Sequence, residues 1–188
     1  MSATSNVPSN ERSSSAVPHR KPIRLPGYDY AQPGTYFVTI CTYRNHCLFG
    51  DVVDDTLHLS DYGHIAREEW LRSAWIRPRV TLDAFVVMPN HLHGIISLSD
   101  TSAVDAGTQQ RAPTVGQFGQ PTSDSIPTIV RGFKASVTYR INTARSAPGL
   151  PVWQRGFYEE VVRNDKALAL VREYIANNPL RWSIDREC

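Results

Sequence analysis

The chain has 188 residues, 41% of them apolar, and a formal net charge of +2 from 20 Lys and Arg against 18 Asp and Glu. This suffices for one compact core and little more. It excludes a uniformly basic or acidic chain, and no apolar run approaches the roughly 20 residues needed to cross a bilayer. No signal-peptide core is expected at the N-terminus. Cys41, Cys47 and Cys188 share no metal-ligand spacing and are expected to be reduced, which with the other absences points to a cytoplasmic location.

In chain order, residues 1–22 are rich in Ser, Pro and Asn and read as a disordered tail, leaving 23–188 as the domain. Arg12, Arg20, Lys21 and Arg24 stand against the single acid Glu11, and Tyr28, Tyr30 and Tyr36 follow closely. Cations interleaved with aromatics suit stacked, unpaired bases better than duplex. Thr35 to Thr42 alternates as a strand, and Leu57 to Leu59 belongs to a shorter pairing partner beyond an Asp54-Asp55 turn. Asp61 to Ala74 reads as a helix with Ile65, Trp70, Leu71 and Ala74 inward.

Val80 to Met88 and His91 to Leu98 form two strands joined at Pro89-Asn90. Residues 100–125 are polar and read as a flexible insertion. Ile126 to Ala144 is a helix with Ile129, Val130, Phe133, Val137 and Ile141 inward and Arg131, Lys134, Arg140 and Arg145 outward. That one-sided basic face suits phosphate contact and equally suits plain solvation. Trp153 to Val162 supplies a last strand, and Asn164 to Pro179 a last helix. The latter has Asn164 or Asp165 as its cap, an apolar stripe of Leu168, Val171 and Ile175, and Pro179 as its stop. The order predicts an α+β fold, a ferredoxin-like split βαβ antiparallel sheet with helices on one face and an added C-terminal helix.

Two constellations carry chemistry. In Met88-Pro89-Asn90-His91-Leu92-His93-Gly94, strand alternation points His91 and His93 to one side and Leu92 into the core. Two imidazoles about 6.5 Å apart at the backbone can converge on one metal ion, although an isolated pair also fits a merely polar sheet face. On the last helix, Tyr174 and Asn178 are four apart and share a face beside the apolar stripe. Taken alone, they also read as a packed tyrosine and a helix-end cap.

Together the His-hydrophobic-His strand, the Tyr-Ile-x-x-Asn-Pro helix and the segment Val152-Trp153-Gln154-Arg155-Gly156-Phe157-Tyr158 resemble the one-tyrosine HUH transposases, and within them the REP-associated tyrosine transposases. Gly27-Tyr28-Asp29-Tyr30, Tyr36-Phe37-Val38-Thr39, Phe49-Gly50 and Gly132-Phe133-Lys134 extend the resemblance over most of residues 24–185. Glu160 departs from it, standing where many relatives carry histidine.

The resemblance implies that Tyr174 is the nucleophile, forming a 5′-phosphotyrosine and releasing a 3′-hydroxyl. A tyrosine ester retains the energy of the broken phosphodiester for rejoining. It also implies a divalent ion held by His91, His93 and Asn178, and imidazole plus amide ligation fits Mg²⁺ or Mn²⁺. The implied substrate is single-stranded DNA carrying hairpin repeats, met at the nucleoid. The expected DNA contacts are Arg20, Lys21, Arg24, Tyr28, Tyr30, Arg131, Lys134 and Arg140. The short segment after Pro179 lacks a long helix able to lock a subunit exchange, so a monomer is expected rather than a dimer. A non-catalytic hairpin-binding protein and a metal-dependent hydrolase without a covalent adduct remain as alternatives.

Overall fold

Alternation builds the central strand, β1 (Gly34–Cys41). Tyr36, Val38 and Ile40 turn to one side and are fully buried, while Phe37, Thr39 and Cys41 turn to the other. The structure is a computed structural model and describes residues 28–100 and 124–182. The expected tail, the basic residues Arg20, Lys21 and Arg24, and nearly all of the expected insertion lie outside those residues.

The elements that follow are β2 (Gly50–Val53), β3 (Thr56–Leu59), α1 (Asp61–Trp75), β4 (Val80–Met88) and β5 (His91–Leu98). Beyond the undescribed residues come α2 (Ile126–Ala144), β6 (Tyr158–Val162), α3 (Asp165–Ala176) and α4 (Asn178–Trp182). β2 and β3 form a separate hairpin. Its turn residues Asp54 and Asp55 both have positive φ, 48° and 57°, as a tight two-residue turn requires.

Four strands form the main sheet in the order β4-β5-β1-β6, and every neighbouring pair is antiparallel. β1 and β4 are linked through α1 but separated in the sheet by β5, which is the split βαβ arrangement expected. α1 and α2 cover the face bearing Tyr36, Val38, Ile40, Leu92 and Ile96, bringing Trp70, Phe133, Val137 and Ile141 into one core. Arg140 of α2 clamps the two helices by bonding Glu68 at 2.7 Å and Glu69 at 3.0 Å. Leu71, expected to face inward from α1, is 44% exposed.

α3 covers the opposite face. Its stripe Leu168, Val171 and Ile175 packs on Phe37, Ile95 and Val86, and burying a side chain such as Ile175 stabilises by roughly 1.5–3 kcal/mol. Asn164 caps this helix, its side chain accepting from the Ala167 N–H at 2.9 Å. Arg172 ties it to β4 through Asp83 at 2.6 Å.

Two boundaries differ from expectation. The last strand begins at Tyr158 rather than Trp153, because the chain from Gln154 to Gly156 is strapped to α2: Lys134 Nζ donates to the carbonyls of Gln154 and Gly156 at 2.7 and 2.9 Å. Pro179 does not stop α3. That helix closes at its C-cap Asn177, and Pro179 sits in the first turn of α4, where its fixed φ and missing N–H are tolerated.

Gly94 is needed where β5 passes under Trp70, since a Cβ there would lie 2.3 Å from Trp70 Cζ2. Cys41 is a free thiol, whereas Cys47 is disulfide-bonded, so the expectation of three reduced cysteines does not hold. Among the described residues, no helix is long and apolar enough to cross a membrane.

Candidate active site

The site lies on the α3 side of the sheet, where β5 leaves the Pro89-Asn90 turn. That turn is fixed by its backbone: Thr42 donates to the Asn90 carbonyl through N–H at 2.8 Å and Oγ1 at 2.9 Å, and the Phe49 N–H donates to Pro89 at 2.9 Å. His91 and His93 emerge on one side with ring centroids 4.4 Å apart.

Each imidazole is held from behind. His91 Nδ1 donates to Asn90 Oδ1 at 2.6 Å, which leaves Nε2 as the lone-pair nitrogen. His93 Nδ1 lies 2.8 Å from the hydroxyl of Thr39, its partner in the β1–β5 register. His91 Nε2 is buried and has no hydrogen-bond partner among the described residues.

The histidines do not stand on an open, polar sheet face. Instead α3 and α4 shield them, and His93 is only 5% exposed. Burial pushes the pKa of His91 down to about 4, opposed by the neighbouring Asn178 side chain. It pushes that of His93 down to about 3, with the charge of His91 acting in the same direction. Both rings are therefore neutral near pH 7, as metal ligation requires.

α3 delivers Tyr174 to this pair. Its hydroxyl lies 3.2 Å from His93 Nε2, a contact between residues 81 positions apart. Phe37 fixes the geometry from the sheet, stacking on His93 at 5.4 Å and meeting Tyr174 and Tyr158 edge-on at 6.1 and 6.3 Å. Asn178, at the start of α4, is buried and faces His91. A cavity of about 350 Å³ brings together His91, His93, Tyr174 and Asn178 with Thr39, Cys41, Asn45, Asn90, Arg181 and Trp182. A larger groove of about 570 Å³, between α2 and residues 149–154, contains none of those four expected active-site residues.

The four therefore meet, and their donor set fits a divalent ion. One buried imidazole nitrogen lacks a partner, a second faces the nucleophile candidate, and an amide stands beside them. Among the described residues no group of three His, Cys, Asp or Glu is placed to hold a metal. The amide expected beside the two imidazoles, Asn178, lines the same cavity.

Several expected DNA contacts are committed elsewhere. Tyr30 is buried in the main core, edge-on to Tyr28 at 4.9 Å, and Tyr28 is half-buried with its hydroxyl 3.4 Å from that of Tyr36. Neither presents a free ring face of the kind expected. Lys134 and Arg140 were expected on a free basic face; Lys134 instead straps residues 154–156, and Arg140 bonds Glu68 and Glu69. Arg131 is exposed on α2. Glu160 stands across from Phe37 on β6, accepting from the Tyr158 hydroxyl at 2.9 Å.

Four site residues escaped the sequence reading: Thr39, Asn90, Arg181 and Trp182. Thr39 could be found only through the β1–β5 register. Arg181 and Trp182 required Pro179 to be read as the first turn of a new helix.

No protein-family model matches the chain. It is 39% identical over 172 residues to a protein of Haemophilus influenzae (strain ATCC 51907 / DSM 11121 / KW20 / Rd) named only as uncharacterized, covering 90% of this chain and 93% of that one. A second protein of that strain, named as a candidate REP-associated tyrosine transposase, is 26% identical over 156 residues, covering 81% and 74%. A solved structure of a REP-associated tyrosine transposase bound to a REP hairpin shares the fold, with a TM-score of 0.55 at 21% identity over 84% of this chain and 73% of that one. In motif order, in sequence at 26% identity and in fold, the chain is thus similar to REP-associated tyrosine transposases.

Proposed function

We propose that this protein is a metal-dependent transesterase that nicks and rejoins single-stranded DNA carrying hairpin repeats. The observation that carries the reading is the Tyr174 hydroxyl, 3.2 Å from His93 Nε2 and in one cavity with the partnerless Nε2 of His91. The hairpin substrate rests on the structural relative, which is bound to a REP hairpin.

In the forward step the Tyr174 oxygen forms a bond to the scissile phosphorus as the bond to the 3′-oxygen breaks. The phenolic proton leaves to solvent, which reaches this 37%-exposed side chain, and the departing 3′-oxygen gains a proton. The product is a 5′-phosphotyrosine. Attack by a 3′-hydroxyl on that ester reverses the exchange and frees Tyr174. His91, His93 and Asn178 would hold Mg²⁺ or Mn²⁺, which supplies Lewis-acid stabilisation of charge on the phosphoryl and leaving oxygens. Phe37, edge-on to Tyr174 and stacked on His93, keeps the phenol aimed at the histidines.

The test is a covalent-adduct assay with 5′- and 3′-labelled single strands bearing a hairpin, in Mg²⁺, Mn²⁺ or chelator. The wild type should yield a denaturant-resistant adduct carrying the 3′-side fragment, lost with chelator and absent in Tyr174→Phe, while hairpin binding persists. Cleavage by Tyr174→Phe would remove Tyr174 as nucleophile. Cleavage without any adduct would favour the hydrolase, and binding without cleavage the non-catalytic protein.

A further inference from the structure

α4 brings a cation to the reaction site. Position 181 is seven residues beyond Tyr174, which in an unbroken helix is about 10 Å further along the axis. The chain breaks at Asn177 and restarts with Pro179 in the first turn, and the Arg181 N–H donates back to the Asn177 carbonyl at 3.2 Å. As a result the Arg181 guanidinium carbon sits 5.9 Å from the centre of the Tyr174 ring and lines the cavity shared with His91, His93 and Asn178.

The charge it brings is not neutralised there. No carboxylate lines the cavity among the described residues. By contrast, Arg140 pairs with Glu68 and Glu69, and Arg172 with Asp83. Arg181 forms no ion pair with any described residue and is exposed. A planar, permanently charged fork beside a nucleophile, in a cavity without acids, matches a phosphodiester anion.

We propose that Arg181 is a catalytic residue that binds the non-bridging oxygens of the scissile phosphate and stabilises the charge they gather as Tyr174 attacks. This rests on the transesterase reading above and adds to it a residue contact for the substrate's phosphate. The cation lies on the same short helix that carries Asn178, so α4 presents an amide to the histidines and a guanidinium to the phosphate. Tethering both groups to one rigid turn limits the reorganisation needed when charge develops.

The experiment compares wild type, Arg181→Ala and Arg181→Lys in single-turnover adduct formation on a hairpin-bearing strand, with hairpin affinity measured in parallel. A second substrate carries a neutral methylphosphonate at the scissile position. On the natural phosphodiester, Arg181→Ala should lose about 100- to 1,000-fold in rate with affinity unchanged, and Arg181→Lys should recover part of it. On the methylphosphonate, where the charge to be stabilised is gone, the variants should differ little from wild type. Undiminished adduct formation by Arg181→Ala, or an equal loss on both substrates, overturns the assignment while leaving the Tyr174 chemistry intact. A wild-type adduct that survives Tyr174→Phe overturns both.

Discussion

Thr39 stands directly across from His93 in the β1–β5 ladder, and its hydroxyl lies 2.8 Å from His93 Nδ1. The far nitrogen of that ring is thereby aimed at Tyr174, so a residue on the neighbouring strand sets the direction of the candidate ligand. Asn90 does the same for His91 from within the turn. Partners behind a ligating histidine fix its tautomer and orientation.

Thr39→Val keeps the shape of the side chain and removes the hydroxyl. Metal-dependent cleavage should fall about 10- to 100-fold, with the apparent metal affinity weakened. Titrating activity against Mn²⁺ for both proteins checks this. An unchanged titration curve would mean that Thr39 does not govern the ring.

Gly94 neighbours His93 and has no room for a side chain beneath Trp70. Trp70 is fully buried and edge-on to Phe133 at 5.3 Å, so it cannot swing away freely. Gly94→Ala should therefore destabilise the fold by about 1–3 kcal/mol. Urea unfolding of the two proteins measures the difference, and equal midpoints would show that the core yields at this point.

Stability of the metal-free protein should decline in mild acid. Unfolded histidine takes up a proton near pH 6.5, whereas burial holds His91 and His93 unprotonated down to about pH 4 and about pH 3. Between those values the unfolded chain binds more protons, so stability is full above pH 6.5 and falls as pH drops toward the folded values. Asp83, whose pKa is lowered by its hydrogen bond with Arg172, adds a further loss below its ordinary 3.8. Denaturant midpoints in chelator, at several pH values from about 7 to about 4.5, should fall steadily, and His93→Gln should flatten the curve. A flat wild-type profile would contradict the burial of these rings.

The strands and helices were legible because their periodicities differ and because each buries one face: β4, β5 and α2 begin and end at the expected residues. The site was legible in its main members because His91 and His93 obey a period of two, and Tyr174 flanks a stripe of about 3.6. What could not be read was tertiary. Tyr28 and Tyr30 look like base-stacking rings beside a basic arm, yet they fill the end of the core around Tyr36. Lys134 and Arg140 look like free cations until the partners that claim them come across from residues 154–156 and α1. Pro179 has the same residue signature whether it ends one helix or starts the next, and only the break at Asn177 decides between them.

The docking of α3 bears on whether one chain supplies the whole site. Tyr174 reaches His93 of its own chain, and Arg172 of the same helix grips Asp83 on β4, so α3 is docked both at Tyr174 and at its flank. Leu168, Val171 and Ile175 complete the seat on Phe37 and Ile95. For the tyrosine of one subunit to serve the metal ligands of another, all of these contacts would have to open together. We therefore expect Tyr174 to act in cis. Tyr174→Phe and His91→Ala proteins, each inactive alone, should stay inactive when mixed, at protein concentrations high enough to drive any association. Formation of the covalent adduct in the mixture would show that nucleophile and ligands come from different chains, and the cis assignment would fail.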